Sequence, residues 1–150
     1  MKNEINLKIT GATLLNVDEA RNLLTADERA YSNWWWLRTP GYFLFCSIEV
    51  NPDGSVNRNG NYVNDSSVCV RPALTIENLD SSNLKIGDTF KIKEYEFRVI
   101  SANLAWLYRQ DIGNCTFHKE LEADDVNDYE KSDIKKFVDE WFEKEVLNYV

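Results

Sequence analysis

Three consecutive tryptophans place the strongest constraint on how this chain can fold. Trp34, Trp35 and Trp36 open the segment WWWLRTPG, and the segment VCVRPAL follows at residues 68–74. Each indole ring carries a large apolar area that is costly to leave in water. Successive residues of a strand alternate between its faces, so Trp34 and Trp36 would share one face and Trp35 the other. We therefore expect at least one covered face, and a sheet that contains both segments.

The composition predicts a single packed domain and disfavours two classes of partner. The chain has 150 residues, 43% hydrophobic and 13% aromatic, which suffices for one core. Its net charge of −8 opposes nonspecific binding to nucleic acid or anionic membranes, because the field repels phosphate. No apolar run reaches bilayer length, and the first residues, MKNEIN, lack an apolar signal core. We therefore expect a cytoplasmic protein.

Residues with catalytic potential are few and scattered. Cys46, Cys69 and Cys115 show no paired spacing, which favours reduced, buried thiols. A disulfide between Cys46 and Cys69 is the alternative if their strands pair. His118 is the only histidine and lies in a polar, acidic stretch, with no nucleophile elbow or glycine-rich phosphate loop elsewhere. The sequence thus predicts no enzyme, no cofactor and no metal site.

Short alternating patterns predict mostly antiparallel strands in the first half of the chain. Asn16 with Glu19, and Thr25 with Glu28, resemble capping boxes that begin a helix and a short second helix. Pro52 and Gly54 favour a tight turn over residues 51–54. The strands are expected at residues 5–9, 34–38, 44–50, 55–57, 61–64 and 68–71, with a second turn at residues 58–60 and a stop at Pro72.

The second half is predicted to add strands, a polar loop and one clear helix. A linker is expected at residues 77–83, followed by strands at residues 89–92, 95–101 and 104–108. Ser132 caps an amphipathic C-terminal helix. The predicted core consists of Trp36, Leu44, Ile48, Val50, Val70, Leu74, Phe97, Val99, Trp106, Phe137 and Trp141.

Three motifs in order resemble a family of phage and bacterial domains. WWLRTPG at residues 35–41, VNPDGSV at residues 50–56 and VRPAL at residues 70–74 are similar to the family pattern WWLRSPG, V-x-x-DGSV and GVRPAL. That family is of unknown function and resembles the C-type-lectin-like fold of formylglycine-generating enzymes and retroelement-diversified variable proteins. The resemblance covers about residues 9–76, and Cys69 stands where the family usually has glycine. It implies an α+β domain with a C-type-lectin-like antiparallel core.

A later segment, KIGD through YEFRVI at residues 85–100, is similar to a strand pair that usually precedes the tryptophan motif in that family. Phe97 stands where the family often has tryptophan. The reversed order implies a circular permutation or an appended module. We therefore expect residues 1–79 to form the lectin-like core. Residues 80–150 would form a β-meander, an acidic loop and the C-terminal helix, packed with the core as one domain.

Two arginines and the tryptophans each have a structural and a functional interpretation. Arg38 and Arg71 could recognise a carboxylate or another anion, or could pin neighbouring strands through buried hydrogen bonds to loop carbonyls. The second interpretation is favoured, so Trp36, Arg38, Arg71 and Pro72 are assigned to the structural motif. Two of the three indoles should be core, and the third a candidate interface anchor. We assign the partner-binding surface of the first half to Trp35, Tyr42, Arg58 and Tyr62.

The asparagine-rich segment and the cysteines leave two further alternatives open. Asn and Asp side chains over residues 51–65 could coordinate Ca²⁺, although their spacing matches no ligand template and Asn beside Gly is ordinary turn chemistry. The same side chains would suit a display surface like that of diversified variable proteins. Formylglycine-generating relatives use a copper site of two cysteines. Cys46 and Cys69 lie in no matching motif, so that activity is not expected.

Acidic residues dominate the second half and supply the leading functional hypothesis. Residues 80–150 hold 16 acidic and 10 basic residues, and a run without a basic residue could mimic phosphates or form a solvated loop. We expect a non-enzymatic, phage-encoded protein that inhibits a host defence protein such as a CRISPR effector. Its partner would be a basic nucleic-acid-binding protein in the host cytoplasm. A lectin-like glycan-binding module and a virion protein are the alternatives. The acidic partner-binding residues are Glu120, Glu122, Asp124, Asp125, Asp128 and Glu130.

Overall fold

Two antiparallel sheets and a C-terminal helix form the fold. The computed structural model describes residues 6–148 and shows a mixed α/β architecture. The strands are β1 (Lys8–Thr13), β2 (Trp35–Pro40), β3 (Cys46–Val50), β4 (Val56–Tyr62), β5 (Ala73–Glu77), β6 (Thr89–Ile92), β7 (Tyr95–Ser101) and β8 (Leu104–Leu107). The α-helices are α1 (Val17–Leu23), α2 (Ala26–Arg29) and α3 (Asp133–Trp141). Short 3₁₀ turns cover Leu79–Ser81 and Tyr129–Lys131, and a π-helical turn over Phe142–Leu147 extends α3.

The larger sheet is built from both halves of the chain. It has five strands in the order β1-β5-β8-β7-β6, and the smaller sheet has three in the order β2-β3-β4. The central β8 pairs with β5, with Leu74 opposite Ala105. Residues 80–150 therefore complete a sheet that β1 and β5 begin.

The tryptophan segment and the VRPAL segment are neighbours but belong to different sheets, which corrects the expected common sheet. Residues 68–70 bond to the loop at residues 112–115 instead of forming a regular strand. The Val70 N–H, for example, donates to the Gly113 carbonyl at 2.9 Å. The strand begins after Pro72, at Ala73, because proline lacks an N–H and is tolerated where the ladder starts. One parallel bridge, between Trp35 and Cys69, joins the two segments.

Two other strand predictions are wrong in detail. Residue 5 of the expected strand at residues 5–9 lies outside the described residues, and β1 runs later, from Lys8 to Thr13. The expected turn at residues 58–60 is the interior of β4, where Gly60 takes a φ of 88° and the register with β3 shifts. A Cβ on Gly60 would lie 2.6 Å from the Ser47 carbonyl oxygen, so the irregularity needs glycine.

Local signals elsewhere are confirmed. Asn16 and Thr25 both form capping boxes, and the Ser132 side chain accepts a hydrogen bond from the Lys135 N–H at the start of α3. The predicted strands at residues 89–92 and 95–101 match β6 and β7, and β8 ends one residue earlier than expected. These elements depend on neighbours in sequence, which is why the pattern suffices.

Most predicted core residues are buried, with one clear exception. Leu44 is 84% exposed, because it lies in the turn before β3 and not on the strand. Phe137 is only partly buried, whereas Trp141 packs with Phe97 and the other side chains of the larger sheet. The three cysteines are free thiols, of which Cys46 and Cys69 are buried. Among residues 6–148, no helix is long and apolar enough to cross a membrane.

Gly54 tests whether the turn before β4 is packed as tightly as the geometry indicates. Its φ is 90°, and an added Cβ would lie 2.1 Å from the Ala26 carbonyl oxygen of α2. We expect Gly54→Ala to lower the free energy of unfolding by at least ~3 kcal/mol, through backbone strain and displacement of α2. Chemical denaturation measures the change.

Gly87→Ala is the matched control, since Gly87 also has a positive φ, 100°, but a Cβ there meets nothing within 4 Å. It should cost only about 1–2 kcal/mol. Equal losses for the two variants would contradict the close packing of the turn on α2.

Candidate functional site

Four aromatic side chains form a ladder on the surface of the smaller sheet. Its members, named here the ring ladder, are Tyr42, Phe43, Phe45 and Tyr62. Centroid distances are 5.0 Å between Tyr42 and Phe43, 5.5 Å between Phe43 and Phe45, and 5.4 Å between Phe45 and Tyr62. Tyr42, Phe43 and Tyr62 are at least half exposed, as is the adjacent Leu44. A contiguous apolar patch of this kind is typical of an interaction surface.

Backbone hydrogen bonds hold the ring ladder open to solvent. The Tyr42 N–H donates to the Asn59 carbonyl at 3.0 Å, and the Val63 N–H donates to the Phe45 carbonyl at 2.9 Å. The Cys46 N–H closes the turn on the Phe43 carbonyl at 3.0 Å. Since β4 fixes both ends of the turn, the rings cannot withdraw into the core without breaking this pairing.

The acidic loop, residues 120–130, lies against the ring ladder. Val126 is buried in the core and anchors the loop. The Asn127 Nδ2 donates to the Phe43 carbonyl at 3.3 Å and to the Cys46 carbonyl at 3.1 Å. An open groove of about 680 Å³ runs between the two, lined by Leu44 and Phe45 on one side and by loop residues on the other.

Carboxylates on the loop side of the groove give it a negative potential. Glu122, Asp124 and Asp125 all line the groove and are exposed. Asp125 pairs with Lys131 at 2.9 Å, and this hydrogen bond raises the pKa of the lysine. Within residues 6–148, Glu122 and Asp124 take part in no ion pair. Their charges are therefore available to a partner.

The structure brings together part of the predicted partner-binding set. Tyr42 and Tyr62 belong to the ring ladder, beside the groove lined by Glu122, Asp124 and Asp125. The remaining acidic residues of the set lie on the same loop but do not line the groove. Glu120 and Glu130 are exposed, and Asp128 accepts a hydrogen bond from the Glu130 N–H. Arg58 is exposed on β4 but joins neither the ring ladder nor the groove.

Trp35 is not an interface residue, which corrects its assignment. It is fully buried, its Nε1 donates to the Arg29 carbonyl at 3.0 Å, and its ring lies 5.6 Å from that of Trp106. Trp36 is fully buried in a different cluster, so both faces of β2 are covered. Trp34, at 45% exposed, is the one indole of the three on the surface. The expectation that it shares a covered face with Trp36 is wrong, because β2 begins only at Trp35.

Sequence reasoning missed Phe43, Phe45 and Asn127. The signal for the two rings was the run Tyr-Phe-Leu-Phe directly after a Pro-Gly pair, because a short turn cannot bury four consecutive apolar side chains. Asn127 bonds to Cys46, which is 81 positions away in sequence, and no local pattern indicates that bond.

The four residues of the structural motif are all well packed or bonded. Trp36 and Pro72 are buried. Arg38 Nη1 donates to the Leu14 carbonyl at 2.6 Å and pairs with Glu19 at 2.7 Å. Arg71 Nε donates to the Gln110 carbonyl at 3.1 Å. Both arginines therefore bond to loop carbonyls, as the pinning interpretation requires.

Oxygen atoms of the asparagine-rich segment are engaged with one another. Asp53 accepts hydrogen bonds from both the N–H and the hydroxyl of Ser55, and Asp65 does the same with Ser67. Asn61 Nδ2 is placed between the Glu49 and Asp65 carboxylates, at 3.3 Å and 2.8 Å. In the part of the chain that the structure describes, no group of three or more His, Cys, Asp or Glu is placed to hold a metal ion.

The molecule is a mixed α/β domain with mostly antiparallel sheets and a C-terminal helix. Residues 5–78 match the family model of a domain of unknown function, DUF6273. Comparisons with curated proteins and with solved structures find no match. The matched segment contains the ring ladder, whereas the acidic loop lies outside it. The two sides of the groove thus come from different parts of the chain.

Asn127→Ala tests whether one amide fastens the acidic loop to the turn. The substitution removes donors to two carbonyls, so we expect a loss of about 1–2 kcal/mol in the free energy of unfolding. Amide hydrogen exchange should speed up at residues 43–46 and in the loop. Asn83→Ala, at an exposed bend, is the control and should change stability by less than about 0.5 kcal/mol. Unchanged exchange at residues 43–46 would contradict the fastening role.

The buried carboxyl of Glu49 should make the free energy of unfolding depend on pH. Burial raises the pKa of Glu49 in the folded protein, so the folded state binds its proton at a higher pH than the unfolded chain does. Raising the pH through that window ionises a buried group and lowers the free energy of unfolding. We expect wild type to lose stability relative to Glu49→Gln as the pH rises above the ordinary range of a carboxyl pKa, about 4.

Urea denaturation across this range of rising pH, with the exposed Glu122→Gln as control, measures the difference. If the free energies of unfolding of wild type and Glu49→Gln change in parallel with pH, the buried carboxyl does not titrate in that range, which contradicts the prediction.

Proposed function

We propose that this protein is a non-enzymatic binding protein that acts on a basic protein partner through the ring ladder and the acidic loop. The observation that carries the proposal is the shared groove, which places Leu44 and the half-buried ring of Phe45 beside the exposed carboxylates of Glu122 and Asp124. The exposed rings of Phe43 and Tyr62 lie next to Phe45 in the ring ladder. Apolar rings supply contact area at low entropic cost, and the carboxylates attract and orient a positive surface.

Arginine is the residue that such a face fits best. A guanidinium stacks on an aromatic ring and also donates two parallel hydrogen bonds to a carboxylate. Phe45 of the ring ladder and the carboxylates of Glu122 and Asp124 line the same groove and offer both partners. The net charge of −8 adds long-range attraction for a basic protein and repulsion for nucleic acid.

The specific form of the proposal is a phage-encoded inhibitor of a host defence protein, such as a CRISPR effector. The carboxylates would take the place of phosphates in a nucleic-acid groove, and the domain would act in the host cytoplasm. The scaffold would be a C-type-lectin-like domain, permuted or extended by residues 80–150. The motifs at residues 35–41, 50–56 and 70–74 support this scaffold, and the acidic loop supports the target. No specific observation on the described residues favours the glycan-binding or the virion alternative.

Two model peptides test the chemistry of the face. One alternates Arg and Leu and the other alternates Arg and Ser at the same length and charge. We expect wild type to bind both more weakly at high salt, and to prefer the Arg-Leu peptide by about tenfold, since only leucine contacts the apolar side of the groove. Isothermal titration calorimetry with the full chain measures both affinities.

Three variants assign the contributions. Leu44→Ser should abolish the preference for the Arg-Leu peptide, and Glu122→Lys combined with Asp124→Lys should weaken both peptides about tenfold. Glu94→Lys with Asp80→Lys is the matched control, because it makes the same charge change at exposed positions outside the groove. Equal losses of affinity in the two double variants would show that net charge alone accounts for the binding, which would contradict the proposed face.

Affinity capture from host lysate, at low and high salt, tests the specific form. The expected product is a basic nucleic-acid-binding protein that wild type retains, that the Glu122→Lys and Asp124→Lys variant releases, and that DNA displaces. Capture of proteins that DNA does not displace would contradict the phosphate-mimic form.

A further inference from the structure

A second, smaller cavity lies at the junction of α2 with the end of β8. Its volume is about 250 Å³, and its walls include Ala30, Tyr31, Arg71, Tyr108 and Arg109. None of these residues belongs to the ring ladder or the acidic loop. The cavity is therefore independent of the proposed protein-binding face.

Arg71 forms part of this cavity as a buried and incompletely bonded cation. It is 1% exposed, and its guanidinium carbon lies 4.3 Å from the ring centroids of Tyr31 and of Trp106, and 4.9 Å from that of Trp35. Its Nε has a partner, but its Nη1 is buried without a hydrogen-bond partner among the described residues. Burial lowers the pKa of Arg71 to about 10, so the group remains charged at neutral pH.

The carboxylate that acts on Arg71 is already committed elsewhere. Asp111 Oδ2 accepts a hydrogen bond from the Tyr31 hydroxyl at 2.5 Å, and Asp111 Oδ1 accepts one from the Gly113 N–H at 2.7 Å. No salt bridge within residues 6–148 includes Arg71. Burying a guanidinium without an ion pair costs free energy. An anion that reaches Arg71 would therefore be stabilised by an ion pair and a hydrogen bond that the described residues do not supply.

Charges at the cavity rim do not cancel this attraction. Glu28 is paired with Arg98 and also accepts a hydrogen bond from the Thr25 N–H. Asp27 and Arg109 also line the cavity, but both are exposed, so solvent screens their opposite charges. Arg71 is thus a buried cation of the lining that has no ion pair among the described residues.

We propose that this cavity binds a small carboxylate with an apolar body, whose charge pairs with Arg71 and whose body packs against Tyr31 and Tyr108. The size is adequate, because an engineered cavity of about 150 Å³ holds benzene. The Tyr31 ring covers the guanidinium, so the ligand displaces this ring to reach the charge. Tyr31 lies between α2 and β2, outside regular structure, so the movement breaks no backbone ladder. It breaks the hydrogen bond from the Tyr31 hydroxyl to Asp111, which keeps its bond from the Gly113 N–H.

Benzoate and benzamide are the probes, since they have the same shape and differ in charge. Titration of the full chain, followed by amide chemical shifts in NMR spectra, should place benzoate at residues 27–31 and 108–111. Benzamide should bind at least tenfold more weakly. Inorganic phosphate distinguishes a carboxylate site from a general anion site and should bind at least tenfold more weakly than benzoate, since it has no apolar body.

Two variants with one control connect the binding to this cavity. Arg71→Met should lose benzoate binding at least tenfold. Ala30→Phe fills the cavity from an exposed position and should lose binding to the same extent with an unchanged Tm, which keeps the test valid if Arg71→Met fails to fold. Arg58→Gln removes a cation elsewhere and should bind benzoate as wild type does.

The proposal is overturned if benzoate does not bind at concentrations up to about 10 mM, if benzamide binds equally, or if Ala30→Phe has no effect. The Glu122→Lys and Asp124→Lys variant should retain benzoate binding. Its result separates a failure of this cavity from a failure of the protein-binding face.

Discussion

Burial of Trp35 and Trp36 on opposite sides of β2 holds the smaller sheet against the larger one. The Trp35 ring packs on Trp106 of β8, whereas Trp36 packs edge-on against Phe117 and donates its Nε1 to the Cys115 carbonyl at 2.8 Å. Backbone bonds also join β2 to segments next to the larger sheet, through the Trp35–Cys69 bridge and from the Arg38 N–H to the Leu15 carbonyl at 2.9 Å. The apolar area that the two rings bury adds to these bonds and stabilises the packing of the sheets.

A fixed β2 has a direct consequence for the surface of the smaller sheet. β3 and β4 follow β2 in the same sheet, and the ring ladder projects from the turn that β3 and β4 hold. The acidic loop is fixed separately, through buried Val126 and the Asn127 amide. Because both sides of the groove are positioned by bonds and packing before any partner arrives, binding would cost little ordering entropy.

The sequence predicted features that depend on neighbours in the chain and missed those that depend on distant packing. Both capping boxes, the Gly54 turn and strands β6 to β8 follow from short patterns. Trp35 was misplaced because alternation tells which side chains share a face but not which faces another element covers. Leu44 was misplaced because β3 begins only at Cys46. The candidate site divides in the same way. The acidic run and Tyr42 were recognised, but the bond from Asn127 that joins loop to turn connects residues 81 positions apart.

Arg38 and Arg71 show how similar motif positions acquire different chemistry. Arg38 keeps 29% of its side chain exposed and pairs with Glu19, so solvent and a carboxylate compensate its charge. Arg71 is enclosed by aromatic rings and has one carbonyl partner. Apolar residues of similar volume are often as stable as buried charges, so pinning alone gives no reason for a guanidinium at that position. Arg71 also follows the Cys69 bridge between the sheets, so a ligand that pairs with it would act on the junction that the tryptophans hold together.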